Sequence, residues 1–419
     1  YEVYNGHVGH DSRNPIARSW CRMNGKIPTS GSDFHDPTSV IDAGIRTDVP
    51  VTDMKQLCEI LRSGAYTVHC GGEKAEQEQL TEEQQKYDSI MWRMPNLPSP
   101  ESPVAPDESG NVVIKKVGEP TKFDFTPKDH VELMELNDWS EMERITKVSG
   151  ARTYAIKNEL SRLELAMHML VLDKLAAHGF TTITVPSLSK QKPLYGMGYL
   201  PFSQDEVYYM PADDLYLSGT AELVLNSLRA DEILSENDLP VLYAGFSPCF
   251  RREAGAAGKD TRGLVRVHQF LKTEQFVICK NDIAESEKWH KTLLAISEEV
   301  LQDLELPYQV LEICTGDMGA PKYRQYDLEA WTPSQNCYRE THSCSNITEW
   351  QARRTNLRYR DNKDGKVKFA HTLNNTGIAT PRILAPFIEN HQQADFTVRI
   401  PEKLQPYMNG KKFIGKNVR

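Results

Sequence analysis

Two long β-rich runs, VLYAGFSPCF (241–250) and LVRVHQFLKTEQFVIC (264–279), flank a stretch with too much glycine and alanine to continue either. Val, Ile, Phe and Tyr favour the pleated surface of a sheet, and two such runs in direct succession predict a hairpin. Further strand signals lie at TTITVPSL (181–188) and YRQYDLEAW (323–331). The amphipathic run LSRLELAMHMLVLDKLAAHGF (160–180) predicts a long helix closed by Gly179. From 123 to 419 the chain is therefore expected to be α+β, a large antiparallel sheet flanked by helices, with no internal repeat.

The join between the two runs carries the chemistry. FRREAGAAGKDTRGLVRVHQF (250–270) packs five Lys/Arg and a histidine around three glycines and three alanines, although the whole chain has a formal charge of -9. Strand alternation predicts Arg266, His268, Phe270, Lys272 and Glu274 on one face, with Val265, Val267, Leu271 and Val277 on the other. At ~3.3 Å per residue, Phe270 and Glu274 stand roughly 13 Å apart, a span that suits a nucleotide base at one end and a small cationic group at the other. Arg251 and Glu253 join that face from the outgoing leg. Arginine meets phosphate oxygens two at a time through its planar fork. The small residues of 254–258 would let a mobile loop approach a bulky polyanion. An exposed, salt-bridged hairpin is the alternative that charge spacing leaves open.

Upstream, VTDMKQLCEILR (51–62) has helical spacing after a Thr52 cap, and a second helix is expected from Glu73 to Met94. Five prolines in MPNLPSPESPVAPDESG predict an extended linker. The expected organisation is a tail over 1–50, a reduced helical arm region over 51–95, a linker over 96–122 and a catalytic domain over 123–419. Between Ser12 and Ser32 stand Arg13, Arg18, Arg22 and Lys26 with no acid, the pattern of an organellar transit segment. A flexible polar tail fits equally. Tyr1 in place of methionine points to a processed or truncated end.

Net acidity argues against a coat for nonspecific nucleic-acid binding. No apolar run reaches the ~18 residues of a membrane span, so no membrane partner is expected. The eight cysteines include no C-x-x-C pair; no zinc site is expected, and buried reduced thiols are.

These stretches together resemble the class II aminoacyl-tRNA synthetases, in the seryl-tRNA synthetase form. FRREAGAAGKDTRGLVRVHQF resembles motif 2, SGTAEL (218–223) the serine-binding T-x-E segment, YDLEAWTPSQNCYRETHSCSN (326–346) the strand and metal-binding segment, and NNTGIATPRILAPFIENHQ (374–392) motif 3. The likeness runs from about 148 to 408. It implies that serine and ATP form a seryl-adenylate, whose seryl group passes to the terminal ribose of tRNA(Ser). Arg251 would grip the α-phosphate, Glu253 orient the nucleotide, and Phe270 stack on adenine. Arg382 would take the far side, near the terminal phosphates, with Arg266 also aimed at ATP. Arg251, Glu253 and Arg382 are thus the implied catalytic residues. Thr220, Glu222, Glu274, Asn374 and Thr376, with Arg251, would read L-serine. Glu340 and Ser343 match a Mg²⁺-binding pair. A homodimer joined through the 160–186 helix and strand is implied. The bacterial-looking IATPRIL, with the basic stretch, points to the mitochondrial matrix, and a cytoplasmic site is the alternative.

The family's long N-terminal coiled-coil arm has no counterpart of matching length here, which makes a catalytically silent tRNA- or partner-binding protein the second hypothesis. His342 stands beside the Mg²⁺ pair where a small residue is usual. Pro386 falls inside the motif 3 helix if Pro381 starts it, which would cost roughly 3 kcal/mol.

Overall fold

The computed structural model describes residues 86–254 and 263–418, together with 83–84, the strands at 2–5, 29–31, 43–46 and 67–70, and single helical positions at 56, 59, 60 and 63. The chain forms two compact units, Tyr1–Met91 and Trp92–Arg419. In the first, Glu2–Asn5 pairs parallel with Thr29–Gly31, and Ala43–Arg46 pairs antiparallel with Thr67–Cys70. Most of the two helices expected before Met94, and of the basic stretch, lies outside the described residues. The second helix ends at Met91, three residues before its expected end.

The second unit is built on one eight-stranded sheet. Its strands are β1 (Val112–Val117), β2 (Thr181–Thr184), β3 (Val241–Phe250), β4 (Gln269–Cys279), β5 (Tyr308–Glu312), β6 (Arg324–Thr332), β7 (Cys337–Thr348) and β8 (His371–Thr380). Their spatial order is β1-β5-β6-β7-β8-β4-β3-β2. All pairs are antiparallel except β3 with β2, which is parallel, so the sheet is mixed at that edge. A parallel pair needs a long crossover, and the segment 185–240 between β2 and β3 supplies it.

The helices that position the site are α1 (His130–Leu136), α2 (Asn158–Ala177), α3 (Ala221–Ser227), α4 (Ile283–Asp303), α5 (Trp350–Thr355) and α6 (Leu384–His391). The helix α2 ends as its glycine predicts: Gly179 has φ +85, and the Phe180 N–H reaches back to Leu175 O at 3.0 Å. Helices α2 and α4 cover one face of the sheet. Their Leu163, Met167, Leu170, Leu293 and Val300 pack on Val277, Leu373 and Leu328. The other face carries α3 and α5 at one end, over Phe276 and Ile278. At its other end that face is open, and the candidate site lies there.

The segment expected as an extended linker is docked. The Asn96 N–H donates to Ala320 O and that of Ser99 to Tyr323 O, both at 2.7 Å, and Ser99 and Ser102 are buried. Residues 112–117 then form the sheet's edge strand, pairing with β5. Proline prevents helix but leaves an extended chain free to bond through its other residues, and that is the use made of it here. The second compact unit thus begins at Trp92, not at 123. Pro386 is the third residue of α6, which starts at Leu384 and not Pro381, so its missing N–H falls where a helix has no internal acceptor.

Candidate active site

The hairpin of β3 and β4 runs in register from Val241↔Ile278 to Phe250↔Gln269. Beyond it the returning leg is irregular: β4 starts only at Gln269, and 263–268 form turns opened by Gly263 at φ +81. The expected alternation therefore holds for Phe270, Lys272 and Glu274 but not for Arg266 and His268. His268 is tied into the backbone, its N–H to Arg152 O and its carbonyl from the Arg251 N–H, both at 2.9 Å. Val265 and Val267, expected to face the core, line the cleft instead. The Leu264 N–H donates to His130 Nε2 at 3.3 Å, and His130 Nδ1 faces Glu389 Oε1 at 2.8 Å, so α1 and α6 together fix where this leg re-enters the sheet.

The cleft has a volume of about 290 Å³. Arg251, Glu253, Phe270, Glu340, Ser343, Arg382, Thr220, Glu222, Asn374 and Thr376 all line it. Glu274 sits beneath its floor, fully buried, and Arg266 lines a neighbouring cavity. The positively charged end is built around Arg251, whose guanidinium lies 5.3 Å from the centre of the Phe270 ring and whose Nε donates to Gly219 O at 3.4 Å. An arginine held by a ring and a carbonyl has most of its fork left for a ligand. Arg266 Nη1 stands 3.3 Å from Glu253 Oε2. A Cβ at Gly219 would sit 2.5 Å from the Tyr199 hydroxyl and 3.3 Å from Phe250 O, so a side chain there would displace Tyr199 in the cleft wall.

The opposite end is a buried polar nest. Thr220 caps α3, its hydroxyl accepting from the Glu222 N–H at 3.4 Å and from Lys272 Nζ at 3.2 Å. Glu222 Oε1 accepts from Gln351 at 2.8 Å, and its Oε2 from Asn374 Nδ2 at 2.9 Å. The same Asn374 amide reaches Glu274 Oε1 at 3.2 Å, while its own Oδ1 is buried with no partner among the described residues. Lys272 Nζ pairs with Glu274 Oε2 at 2.6 Å. Burial above all raises the Glu222 carboxyl above its ordinary range; Lys322 pulls it back down and Glu274 pushes it up. Glu222, which lines the cleft with Glu274 buried behind it, makes this the acidic end, the side that suits an ammonium group.

Two bulges aim the remaining side chains. In β8, Gly377 is the extra residue opposite Thr273 and Glu274; a Cβ on it would lie 3.1 Å from Thr273 O. In β7, Leu328 pairs with His342 but Glu329 with Glu340, leaving Thr341 extra. In a regular strand Glu340 and Ser343, three apart, would face opposite ways. The bulge turns both into the cleft. His342, expected beside them, points away: it faces Thr341 Oγ1 at 2.8 Å and Gly377 O at 3.1 Å, and burial pushes its pKa down to about 4. Behind Ser343, the Asp327 carboxyl is pushed up to about 7 by burial and by Glu340. Among the described residues no three His, Cys, Asp or Glu side chains gather as a metal-ligand set.

Lys322 and Tyr199 also line the cleft, and neither was singled out in the sequence. Lys322 lies in the unpatterned GDMGAPKY; it donates to Ser345 Oγ at 2.7 Å. Lys272 was legible, since it shares the alternation of Phe270 and Glu274.

An antiparallel sheet with this arginine hairpin, T-x-E cap and final strand-helix pair defines a class II aminoacyl-tRNA synthetase core, and the profile described as tRNA synthetase class II core domain (G, H, P, S and T) matches residues 207–391. The chain belongs to the seryl-tRNA synthetase family. It is 51% identical over 346 residues to the serine–tRNA ligase of Deinococcus radiodurans, covering 83% of this chain and 81% of that protein. With the serine–tRNA ligase of Pyrococcus horikoshii it shares 42% over 356 residues, 80% and 78% of the two chains. Of solved structures, seryl-tRNA synthetase from Pyrococcus horikoshii complexed with ATP superposes with a TM-score of 0.78 at 37% identity, over 96% of this chain and 88% of that one. The cytoplasmic serine–tRNA ligase of Naegleria fowleri in complex with AMP gives 0.76 at 33% identity, over 87% and 84%.

Proposed function

We propose that this chain is an ATP-dependent serine–tRNA ligase that forms seryl-adenylate in the cleft and passes the seryl group to tRNA(Ser). The observation that carries the reading is the joining, in one cleft, of a phosphate-reading end at Arg251 and Phe270 with an ammonium-reading end at Glu222 and Asn374. Phe270 and Arg382 hold the nucleotide from two sides and Glu253 orients it. Glu222, backed by the buried Glu274, receives the serine ammonium, and Thr220, Thr376 and Asn374 Oδ1, which has no partner among the described residues, read its hydroxyl. Alanine leaves those buried groups unpaired, which is how the site rejects it. The serine carboxylate then attacks the α-phosphorus, and the Arg251 fork stabilises the charge that grows on its oxygens. Positioning and charge carry the step, and no protein base is required.

Glu340 and Ser343 offer hard oxygens on one side of the cleft, a donor set that suits Mg²⁺ when phosphate oxygens complete it. Bound there, the ion would neutralise the polyphosphate; the protein's part is to hold it by these two side chains. A homodimer is supported by Leu165 and Met169, one turn apart on α2 and 53% and 50% exposed. Residence in the mitochondrial matrix rests on IATPRIL (378–384) and the basic 12–32 stretch. Imaging of a tagged full-length protein tests it, and a purely cytosolic signal removes it. The enzymatic reading is tested by serine-dependent exchange of pyrophosphate into ATP: exchange is expected, and its absence in protein that still binds tRNA would establish the silent alternative.

A further inference from the structure

Tyr199 brings a phenol hydroxyl to the cleft wall, and that hydroxyl forms no hydrogen bond with any described residue. Groups from both ends of the cleft act on it through space: Arg251 from the phosphate end, Lys272 and Glu222 from the serine end. It stands, therefore, where the two ends meet. Burial raises its pKa above the ordinary tyrosine range, against the pull of Arg251 and Lys272, so at neutral pH it is a protonated donor. Other hydroxyls of the wall are already engaged, Thr220 by Lys272 Nζ, Thr341 by Leu328 O, Ser343 by Gln325 Nε2 and Thr380 by His168 Nε2.

The backbone on both sides holds this residue in place. The short helix Gln191–Met197 ends at Gly198, φ +91, where a Cβ would lie 2.6 Å from the Trp350 ring. The Tyr199 N–H donates to Leu194 O at 2.9 Å, and its carbonyl accepts from the Ser203 N–H at 2.6 Å. Leu200 beside it is buried, and the phenol lies against Gly219, too close for any Cβ there. A donor fixed in this way needs no reorganisation when charge develops in front of it.

Seryl-adenylate brings one acceptor to that place. Its ammonium lies toward Glu222 and its phosphate toward Arg251, so the acyl carbonyl that joins them lies between. When the terminal ribose oxygen of tRNA bonds to the carbonyl carbon, the carbonyl π pair moves onto its oxygen. That pair returns as the bond from the same carbon to the phosphate oxygen breaks. AMP leaves with the electrons of the broken bond, and the ribose proton passes by way of the phosphate to solvent. We propose that the Tyr199 hydroxyl donates to this carbonyl oxygen and stabilises the charge it carries during seryl transfer. Arg251 then serves the phosphorus and Tyr199 the acyl carbon, one group for each half of the reaction. The inference rests on the ligase reading above.

Tyr199→Phe removes the donor and keeps the ring. Full-length protein isolated with bound seryl-adenylate is mixed with tRNA(Ser) under rapid quench, and serine-dependent exchange is measured on the same preparation. Transfer is expected to slow about 10²-fold, the usual effect of losing one such donor, with exchange and the KM for ATP within about twofold of wild type. Infrared spectra of bound adenylate, made from serine carrying ¹³C at its carboxyl carbon, should show the carbonyl stretch at higher wavenumber in the variant. A purely structural role would leave that stretch unmoved. Transfer within about twofold of wild type, or transfer and exchange slowed by the same factor with the stretch unchanged, overturns the proposal. Failure of the ligase reading looks different: wild-type protein itself gives no exchange.

Discussion

Lys272 Nζ lies 2.6 Å from Glu274 Oε2, and the two side chains are 9% and 0% exposed. Two apart on β4, they point the same way beneath the floor of the cleft, and the lysine also holds Thr220 Oγ1. Removing one member of a buried pair leaves an uncompensated charge and costs about 3–5 kcal/mol, more than the pair itself contributes. Lys272→Met is therefore expected to lower stability by about 3 kcal/mol in urea unfolding. The double variant Lys272→Met/Glu274→Gln should regain part of that stability without regaining serine binding. A single variant within about 0.5 kcal/mol of wild type would show that the pair does not carry this burden.

At the other end, Arg251 and Phe270 are expected to separate binding from chemistry. Phe270→Ala removes a stacking face worth about 1–3 kcal/mol for a base. It should raise the KM for ATP roughly tenfold with kcat little changed. Arg251→Lys keeps the charge but loses the fork, and a transition-state donor of this kind is worth about 10²-fold in kcat. Steady-state exchange kinetics check both, and equal effects on KM and kcat would contradict the assignment.

Serine binding should depend on pH through Glu222. Burial raises its pKa in the folded chain, and only the ionised form attracts an ammonium. As pH falls through that raised value the KM for serine is expected to climb, and Glu222→Gln should give a high, flat profile. Lys322 lowers the same pKa, so Lys322→Met should move the limb to higher pH. Stability runs the other way. A carboxyl whose folded pKa lies above its unfolded value stabilises the fold at low pH, and that contribution fades as pH rises through the folded pKa. A KM profile unmoved by Lys322→Met would sink the coupling.

The metal pair gives a sharper test of the β7 bulge. Glu340→Gln and Ser343→Ala should each raise the Mg²⁺ concentration for half-maximal exchange several-fold while saturating Mg²⁺ restores much of the rate. Deleting Thr341, the extra residue, leaves Glu340 and Ser343 two apart in a regular strand and so still on one face, and that rescue should survive the deletion. Loss of rescue in the deletion would mean that Glu340 does not keep its pairing opposite Glu329.

The same bulge marks where the sequence stops being informative. Strand β3 and the floor residues Phe270, Lys272 and Glu274 follow from period-two alternation and from turn chemistry, both local properties. Arg266 and Val265 do not, because the leg before Gln269 is shaped by His130 and Glu389, which are 134 and 259 residues away from their partners Leu264 and His130. The bulge at Thr341 inverts facing without any residue-level signal, whereas the one at Gly377 has only its glycine to mark it. Lys322 was silent for another reason: it sits in a turn, where no periodicity says which way a side chain points.

Asn96 joins that turn to the proline-rich segment, and it yields the last prediction. Its amide donates to Pro321 O at 3.0 Å, Ile347 O at 2.8 Å and Thr348 Oγ1 at 3.3 Å, while its N–H bonds Ala320 O. Residues 320 and 321 lead directly into Lys322, and Ser99 holds Tyr323 just after it. The docked segment thus braces the backbone that carries the lysine facing Glu222. Asn96→Ala leaves these acceptors without their donor, at a cost of about 1–3 kcal/mol. It should also raise the KM for serine more than that for ATP and admit faster proteolysis between 95 and 106. If cleavage quickens while serine KM holds, the segment is a strap on the fold with no hand in the site.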